Sequence, residues 1–343
     1  MPPIDGPGTT PTVLPQNAPA SSTQPSVDLD GNGYLDPYEQ HQAAITLAPV
    51  LYFAPGEENF PTDPLTFIEQ SSLREERDFR GDKELYGEGD VPPTALTDTD
   101  VVPANNEDAD GQVFLDHSDD HRGGDIEDAP MLYQYDAATN TITYHVFYAY
   151  NDGPPGLGDV QNHEGDWERI TIQLDDGFRP TEVRYSAHSG IDVSRAWPGA
   201  ANPDGQPVAP LENGKPVVFV GQGSHANFPE TGQWETQADG IYDLAAYDAD
   251  DSVRLDLATL EARDVTAEPW YGTHVMWGER GSAAEFGIGD NSGPTGPLPD
   301  GDDADAIPDK GPITDASPRE PVTQTHPPWW LPQPIGPILP PGT

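Results

Sequence analysis

The chain has no cysteine, so disulfides and thiolate metal sites are excluded and the redox compartment cannot be inferred from it. It has only three lysines, Lys83, Lys215 and Lys310. No stretch of about 18 apolar residues occurs, which rules out a membrane-spanning helix. The first thirty residues lack an apolar h-region, so no signal peptide is expected at this N-terminus. Basic residues number 15 against 60 acidic ones, a formal net charge of −45. Such a surface repels nucleic acid, and it repels an anionic bilayer unless cations bridge the two. Two settings account for the charge: a calcium-rich extracellular or cell-surface milieu in which aspartates are ligands, or the cytoplasm of a halophile.

What is abundant is glycine and proline, 35 and 40 of 343 residues. That composition favours turns, tails and strands over helical bundles, and the length suffices for a sizeable core. Residues 1–27 read as a disordered Pro/Ser/Thr-rich tail and 300–343 as an acidic, then Pro-rich tail. Between them the sequence divides into a calcium-loop segment, 28–46, and a β domain, 47–299. Oligomeric state is open.

Residues 28–39 read Asp-Leu-Asp-Gly-Asn-Gly-Tyr-Leu-Asp-Pro-Tyr-Glu and fit the EF-hand loop at every ligand position. Asp28, Asp30 and Asn32 would supply side-chain oxygens, Tyr34 a carbonyl, and Asp36 a carboxylate or bridging water. Glu39 would close the site in bidentate fashion, and Gly33 takes the sharp turn. An exiting helix is expected over 37–46. No entering helix precedes the loop, so it reads as a structural Ca²⁺ clip rather than a sensor. Asn106, Asp108, Asp110, Gly111 and Val113 imitate the first part of a second loop, but its twelfth position is His117. Residues 71–128 otherwise read as charged and weakly periodic.

From Met131 the pattern has the two-residue period of strands: 131–135 and 141–150 flank a hairpin loop, and Ile142, Tyr144, Val146, Tyr148 and Tyr150 share one face. Asp152 continues that face. The motif Asn162-His163-Glu164-Gly165-Asp166-Trp167-Glu168 runs into Ile170, Ile172 and Leu174, which puts Asp166 and Glu168 on the core face. Carboxylates at the inner mouth of a strand are costly unless a cation, a donor or water satisfies them. Residues 181–188 form a further strand candidate, 216–222 a doubly buried one, and 253–260 is ambiguous between helix and strand. Ser224 and His225 lie among glycines and, with His188, are candidate pocket residues. No nucleophile elbow surrounds Ser224.

Four blocks resemble the vacuolar protein sorting-associated protein 62 family. They are Ala48-Pro49 with Glu57/Glu58 and Phe60-Pro61, then Tyr148 to Asn151, His163 to Glu168, and Gly223 to Pro229. The resemblance covers about 46–299 and implies no known chemistry. More distantly, Asn162–Glu168 is similar to the hallmark heptapeptide of the necrosis-inducing cytolysins, keeping its first His, the Asp, the Trp and the Glu. That similarity implies a β-sandwich in which Asp152, His163, Asp166 and Glu168 hold a divalent cation near membrane sphingolipid. It departs at Asn162, Glu164 and Gly165.

The expected fold is mainly β: a β-sandwich with long acidic loops and a short N-terminal EF-hand-like loop and helix. The expected function is non-enzymatic. It comprises Ca²⁺ at the loop, a second divalent cation (Ca²⁺, Mg²⁺ or Mn²⁺) in the sandwich, and glycan or lipid headgroups as ligands. Two alternatives stand beside it: a metal-dependent hydrolase with Glu164 or Glu168 as base, and a sorting-type interaction protein with no sandwich metal.

Overall fold

The computed structural model describes residues 25–77, 81–106, 111–153, 162–187, 191–235, 242–279 and 292–297. The chain is mainly β. After α1 (Pro37–Leu47) come β1 (Val50–Phe53), α2 (Pro64–Glu69), β2 (Ser71–Glu75), β3 (Lys83–Tyr86) and β4 (Val113–His117). The long strands follow: β5 (Met131–Asp136), β6 (Thr141–Asn151), β7 (His163–Leu174), β8 (Pro180–Ala187) and β9 (Ile191–Ala196). Then come β10 (Leu211–Glu212), β11 (Lys215–Val220), β12 (Asn227–Phe228), β13 (Gly232–Glu235), β14 (Tyr242–Ala245), β15 (Arg254–Asp256) and β16 (Ala262–Asp264).

The largest sheet has the order β16-β5-β6-β7-β8-β9. Its even-numbered residues on β6 and β7, including Ile142, Tyr144, Tyr148, Ile170 and Ile172, share one core with Leu51, Phe53, Val218 and Val220 of the sheet β10-β11-β1-β15. That pair of sheets is the sandwich. β11 is buried at Pro216 through Val220, as its unbroken apolar run requires. The opposite face of the large sheet, with Leu132, Phe147 and Ala149, packs a second core on the sheet β3-β2-β4 together with Trp270, Val275 and Trp277. The ambiguous segment near 253–260 resolves into β15 followed by a 3₁₀ turn at Leu257–Thr259.

Within residues 71–128, charged and weakly periodic in sequence, β2 and β4 pair antiparallel, with Leu73, Val113 and Leu115 buried. Their strands are five residues long and carry charges on the outer side, so few alternations are available to read. Asn106 likewise proves to be a clamp. It is fully buried, donates through Nδ2 to the carbonyl oxygens of Val113 (2.8 Å) and His274 (2.9 Å), and accepts from the Val113 amide. Asp108 and Asp110 lie outside the described residues.

The N-terminal loop is built into the sandwich. Asp36 caps α1, its carboxylate accepting from the Glu39 amide, while the Glu39 carboxylate accepts from the Asp36 amide, a reciprocal capping box. Leu35, Ala43, Ala44 and Leu47 enter the main core. Tyr144 in the middle of β6 donates its hydroxyl to the Ala44 carbonyl at 2.8 Å. The Val27 amide and the Ser26 hydroxyl donate to the carbonyls of Phe178 and Gly177.

Candidate functional site

Three loops and two strands converge at one end of the sandwich. Asp166 and Glu168 project from β7 on the core face, opposite Tyr148 and Val146 of β6. Beyond β11, left-handed Gly223 (φ 73°) and His225 (φ 54°) reverse the chain so that β12 pairs back on β11, Val220 opposite Asn227. A side chain at Gly223 would overlap the Gly153 carbonyl oxygen, so glycine is required there. The turn drives His225 inward, where it is fully buried and stacked parallel on Tyr148 at 3.8 Å.

His225 Nδ1 donates to Asp166 Oδ2 at 2.8 Å, and its Nε2 faces Glu57 Oε1 at 3.7 Å, an ion pair longer than a hydrogen bond. Burial alone would lower the imidazole pKa. The two carboxylates outweigh it and push the pKa up to about 9, so His225 is an imidazolium at neutral pH. Glu57 belongs to the turn after β1. Burial would raise its pKa, but His225 and the amides of Gly223 and Asn59 hold it below the usual range. Asp152 accepts from Asn59 Nδ2 at 3.0 Å, and Glu168 accepts from Asn227 Nδ2 at 3.0 Å. Among the described residues, the Tyr148 hydroxyl, the Ser224 hydroxyl and Asn227 Oδ1 are buried without a hydrogen-bond partner.

The expected residues thus separate. Asp166 and Glu168 enter one buried network with His225, while Asp152 flanks it through Asn59. His163 begins β7 opposite Asn151 and donates from Nδ1 to the carbonyl oxygen of Gly165 at 2.7 Å. His188 lies outside the described residues. Glu57, Asn59, Asn227 and Tyr148 join the cluster without having been singled out as site residues. The available signal was a polar pair, Glu57 and Asn59, set between two buried apolar segments, and Asn227 next to Ser224-His225.

Glu164 goes elsewhere. A strict two-residue period would put it beside Asp166, but Gly165 is left-handed (φ 63°) and breaks the alternation. The Glu164 carboxylate instead accepts from the His117 amide of β4 at 3.0 Å, and burial raises its pKa to about 7. His117 is 3% exposed, stacked on Phe67 at 4.1 Å, and burial lowers its pKa to about 4. A histidine whose folded pKa is depressed binds its proton more readily in the unfolded chain. Stability from His117 is therefore complete above about pH 6.5 and falls as pH drops toward 4. His117 and the likewise buried His145, whose pKa burial lowers to about 3, should together erode stability below about pH 6.5, while Glu164, whose folded pKa is raised, opposes them over about pH 7 to 4.5 because the folded chain takes that proton first. The His117→Asn variant should flatten the fall of a denaturant-midpoint-against-pH curve below pH 6.5. An unchanged curve would refute the assignment.

At the N-terminal loop, Asp28, Asp30 and Glu39 bring ligand oxygens within 4.8 Å of one another, the one such trio of acids or histidines among the described residues. Asp28 accepts from the amides of Gly31 and Gly33, Asp30 from that of Asn32, and Asn32 from that of Tyr34. Glu39, 3% exposed, accepts from the amides of Leu29, Asp30 and Asp36.

No family model matches the chain. It is 21% identical over 225 residues to a Saccharomyces cerevisiae protein named for vacuolar protein sorting, TDA6, covering 57% of this chain. The match spans 48% of that relative, about half its length. Two solved structures of NLPPya, in complex with mannosamine and with glucosamine, are 14% identical with TM-scores of 0.29 and 0.30. Each alignment covers 73% of this chain and 79% of the other. No helix among the described residues is long and apolar enough to cross a membrane.

Proposed function

We propose that the protein is a non-enzymatic, calcium-binding β module. Ca²⁺ at the N-terminal loop locks the loop and α1 to the sandwich. Asp152, Asp166, Glu168 and Glu57, of which no three bring ligand oxygens within 4.8 Å of one another, draw together on a second divalent cation and offer it to glycan or lipid headgroups in an extracellular or surface setting. The observation that carries the reading is the convergence of Asp28, Asp30 and Glu39 at the positions a calcium loop requires. Sugar hydroxyls and headgroup phosphates are oxygen donors of the kind that complete a calcium shell.

The non-enzymatic reading is supported by the state of His225. Both its nitrogens face carboxylates, so it cannot take a proton from Ser224. Glu164, the other candidate base, is held by β4 on the far side of the bend at Gly165.

One observation favours a second reading of the sandwich cluster. Asp152, Asp166 and Glu168 each already have a side-chain donor, in Asn59, His225 and Asn227, as a hydrogen-bonded polar plug would. Metal content after purification, with and without chelation, separates the two. With a cation there, the stoichiometry is two per chain and Asp166→Asn lowers it to one. With a plug, it is one per chain throughout. In that case Asp166→Asn still costs on the order of 3–5 kcal/mol, because a buried imidazolium loses its closer partner. A chain that binds no calcium at all would end the proposal.

A further inference from the structure

On the inner face of the large sheet, one strand over from Glu168, lies a set of donors whose acceptors are few: Tyr185 of β8 sits opposite Ile170, two residues on from Glu168 along β7. In the β8–β9 ladder Tyr185 is opposite Val193, and Arg195 is opposite Val183, so Tyr185 and Arg195 are diagonal neighbours on the core face. Tyr185 is 0% exposed and Arg195 3%. Among the described residues the Tyr185 hydroxyl and Arg195 Nε have no hydrogen-bond partner, and neither has the indole N–H of Trp197, which follows Arg195 two residues later. The guanidinium makes one bond to the Ser194 carbonyl at 3.0 Å and one long contact, 3.4 Å, to the Glu230 carboxylate. Buried guanidinium groups are ordinarily met by paired, short carboxylate bonds. This one is not. Glu230 is itself 55% exposed, with its backbone held by the Trp234 indole donating to its carbonyl, so its side chain can swing into solvent without moving the chain.

We propose that Arg195 and Tyr185 form a binding site for a single oxyanion, a carboxylate or sulfate group, with Glu230 as the internal occupant it displaces. The chemistry follows from the donor set. Arg195 supplies fixed positive charge, Tyr185 a hydroxyl that donates beside it, and among the described residues Glu230 is the carboxylate that meets the guanidinium. In a chain of net charge −45, a buried cation with an unmet donor is the one kind of place where an anion gains more locally than the surface field takes away. The site shares no residue with the calcium loop or the Asp166 cluster, so it stands whether or not those hold metal.

The test is calorimetric titration of the full chain with inorganic sulfate and with glucuronate, at an ionic strength of about 0.5 M to screen the surface. Glu230→Gln removes the competitor and should tighten binding roughly tenfold, as expected of a lost charged partner. Tyr185→Phe, which keeps the ring and the packing, should weaken it about fivefold at an unchanged melting temperature. Glucuronate binding tighter than sulfate identifies an acidic saccharide as the ligand class, and equal affinities identify a free oxyanion. No heat from either ligand in Glu230→Gln, or affinities indifferent to both substitutions, would overturn the site and leave the donors to internal water.

Discussion

Chelating calcium should lower the melting temperature of the whole sandwich, not only fray its N-terminus. The loop and α1 are not an appendage: Leu35, Ala43, Ala44 and Leu47 belong to the same core as Tyr144, Ile170 and Val218. The Tyr144 hydroxyl, fully buried, has the Ala44 carbonyl as its acceptor. If the loop opens, that hydroxyl and the apolar face of α1 are exposed together. A cation bound only by the folded loop stabilises it by RT ln(1 + [L]/Kd), about 2.7 kcal/mol at a hundredfold excess over Kd. For a domain of this size that is a shift on the order of 5–10 °C. Differential scanning calorimetry with calcium and with chelator measures it. Glu39→Gln should melt at the chelated temperature in either buffer, because the bidentate ligand is gone. A single transition moving as a unit is the expected trace. Two transitions, only the smaller one calcium-dependent, would show the clip to be independent of the core.

Much of this architecture was legible because the β6–β7 hairpin repeats its alternation over eleven and twelve residues. Long strands with one face in a core leave a pattern that charge elsewhere cannot hide. The acidic trio of the N-terminal loop was legible for a different reason: Asp28, Asp30 and Glu39 are local in sequence. The β2–β4 sheet was not, since its strands offer five residues each and their outer positions are Arg and Asp. The site divides along the same line. Asp166 and Glu168 follow from counting along one strand. Glu57, in the turn after β1, and Asn227, at the start of β12, lie 109 and 59 positions from Asp166 and Glu168 respectively, and no local period encodes that. His225 was visible as a histidine among glycines, but its partners depend on the left-handed turn that aims it. Period-two counting also fails at Gly165, where the backbone itself reverses the pattern.

That reversal makes Gly165→Ala the substitution in the central motif expected to cost the fold most. At φ 63° a residue with a Cβ sits in the left-handed region, a penalty of about 1–2 kcal/mol. The space is also taken: the added carbon would overlap the Trp277 carbonyl oxygen and crowd the Trp277 Cβ at 2.7 Å. Trp277 cannot easily yield. It is fully buried, with Phe147 at 4.9 Å, Trp167 at 5.3 Å and Trp270 at 5.5 Å, and its amide donates to the Pro294 carbonyl at 2.7 Å. Overpacking such a site costs about 1–3 kcal/mol more. The sum, roughly 2–5 kcal/mol, should appear as a lower urea midpoint at an unchanged slope. Trp277→Ala should cost on the order of 3–5 kcal/mol by emptying the indole's place in the second core. Combining the two should cost close to the sum of the parts, because the atoms the new methyl meets, the Trp277 carbonyl oxygen and Cβ, remain in alanine. A cost well below the sum would mean that the indole packing, not the backbone contact, is what resists a side chain at position 165. A loss under about 1 kcal/mol in Gly165→Ala alone would mean that the left-handed bend, and with it the separation of Glu164 from Asp166, is not fixed by this residue.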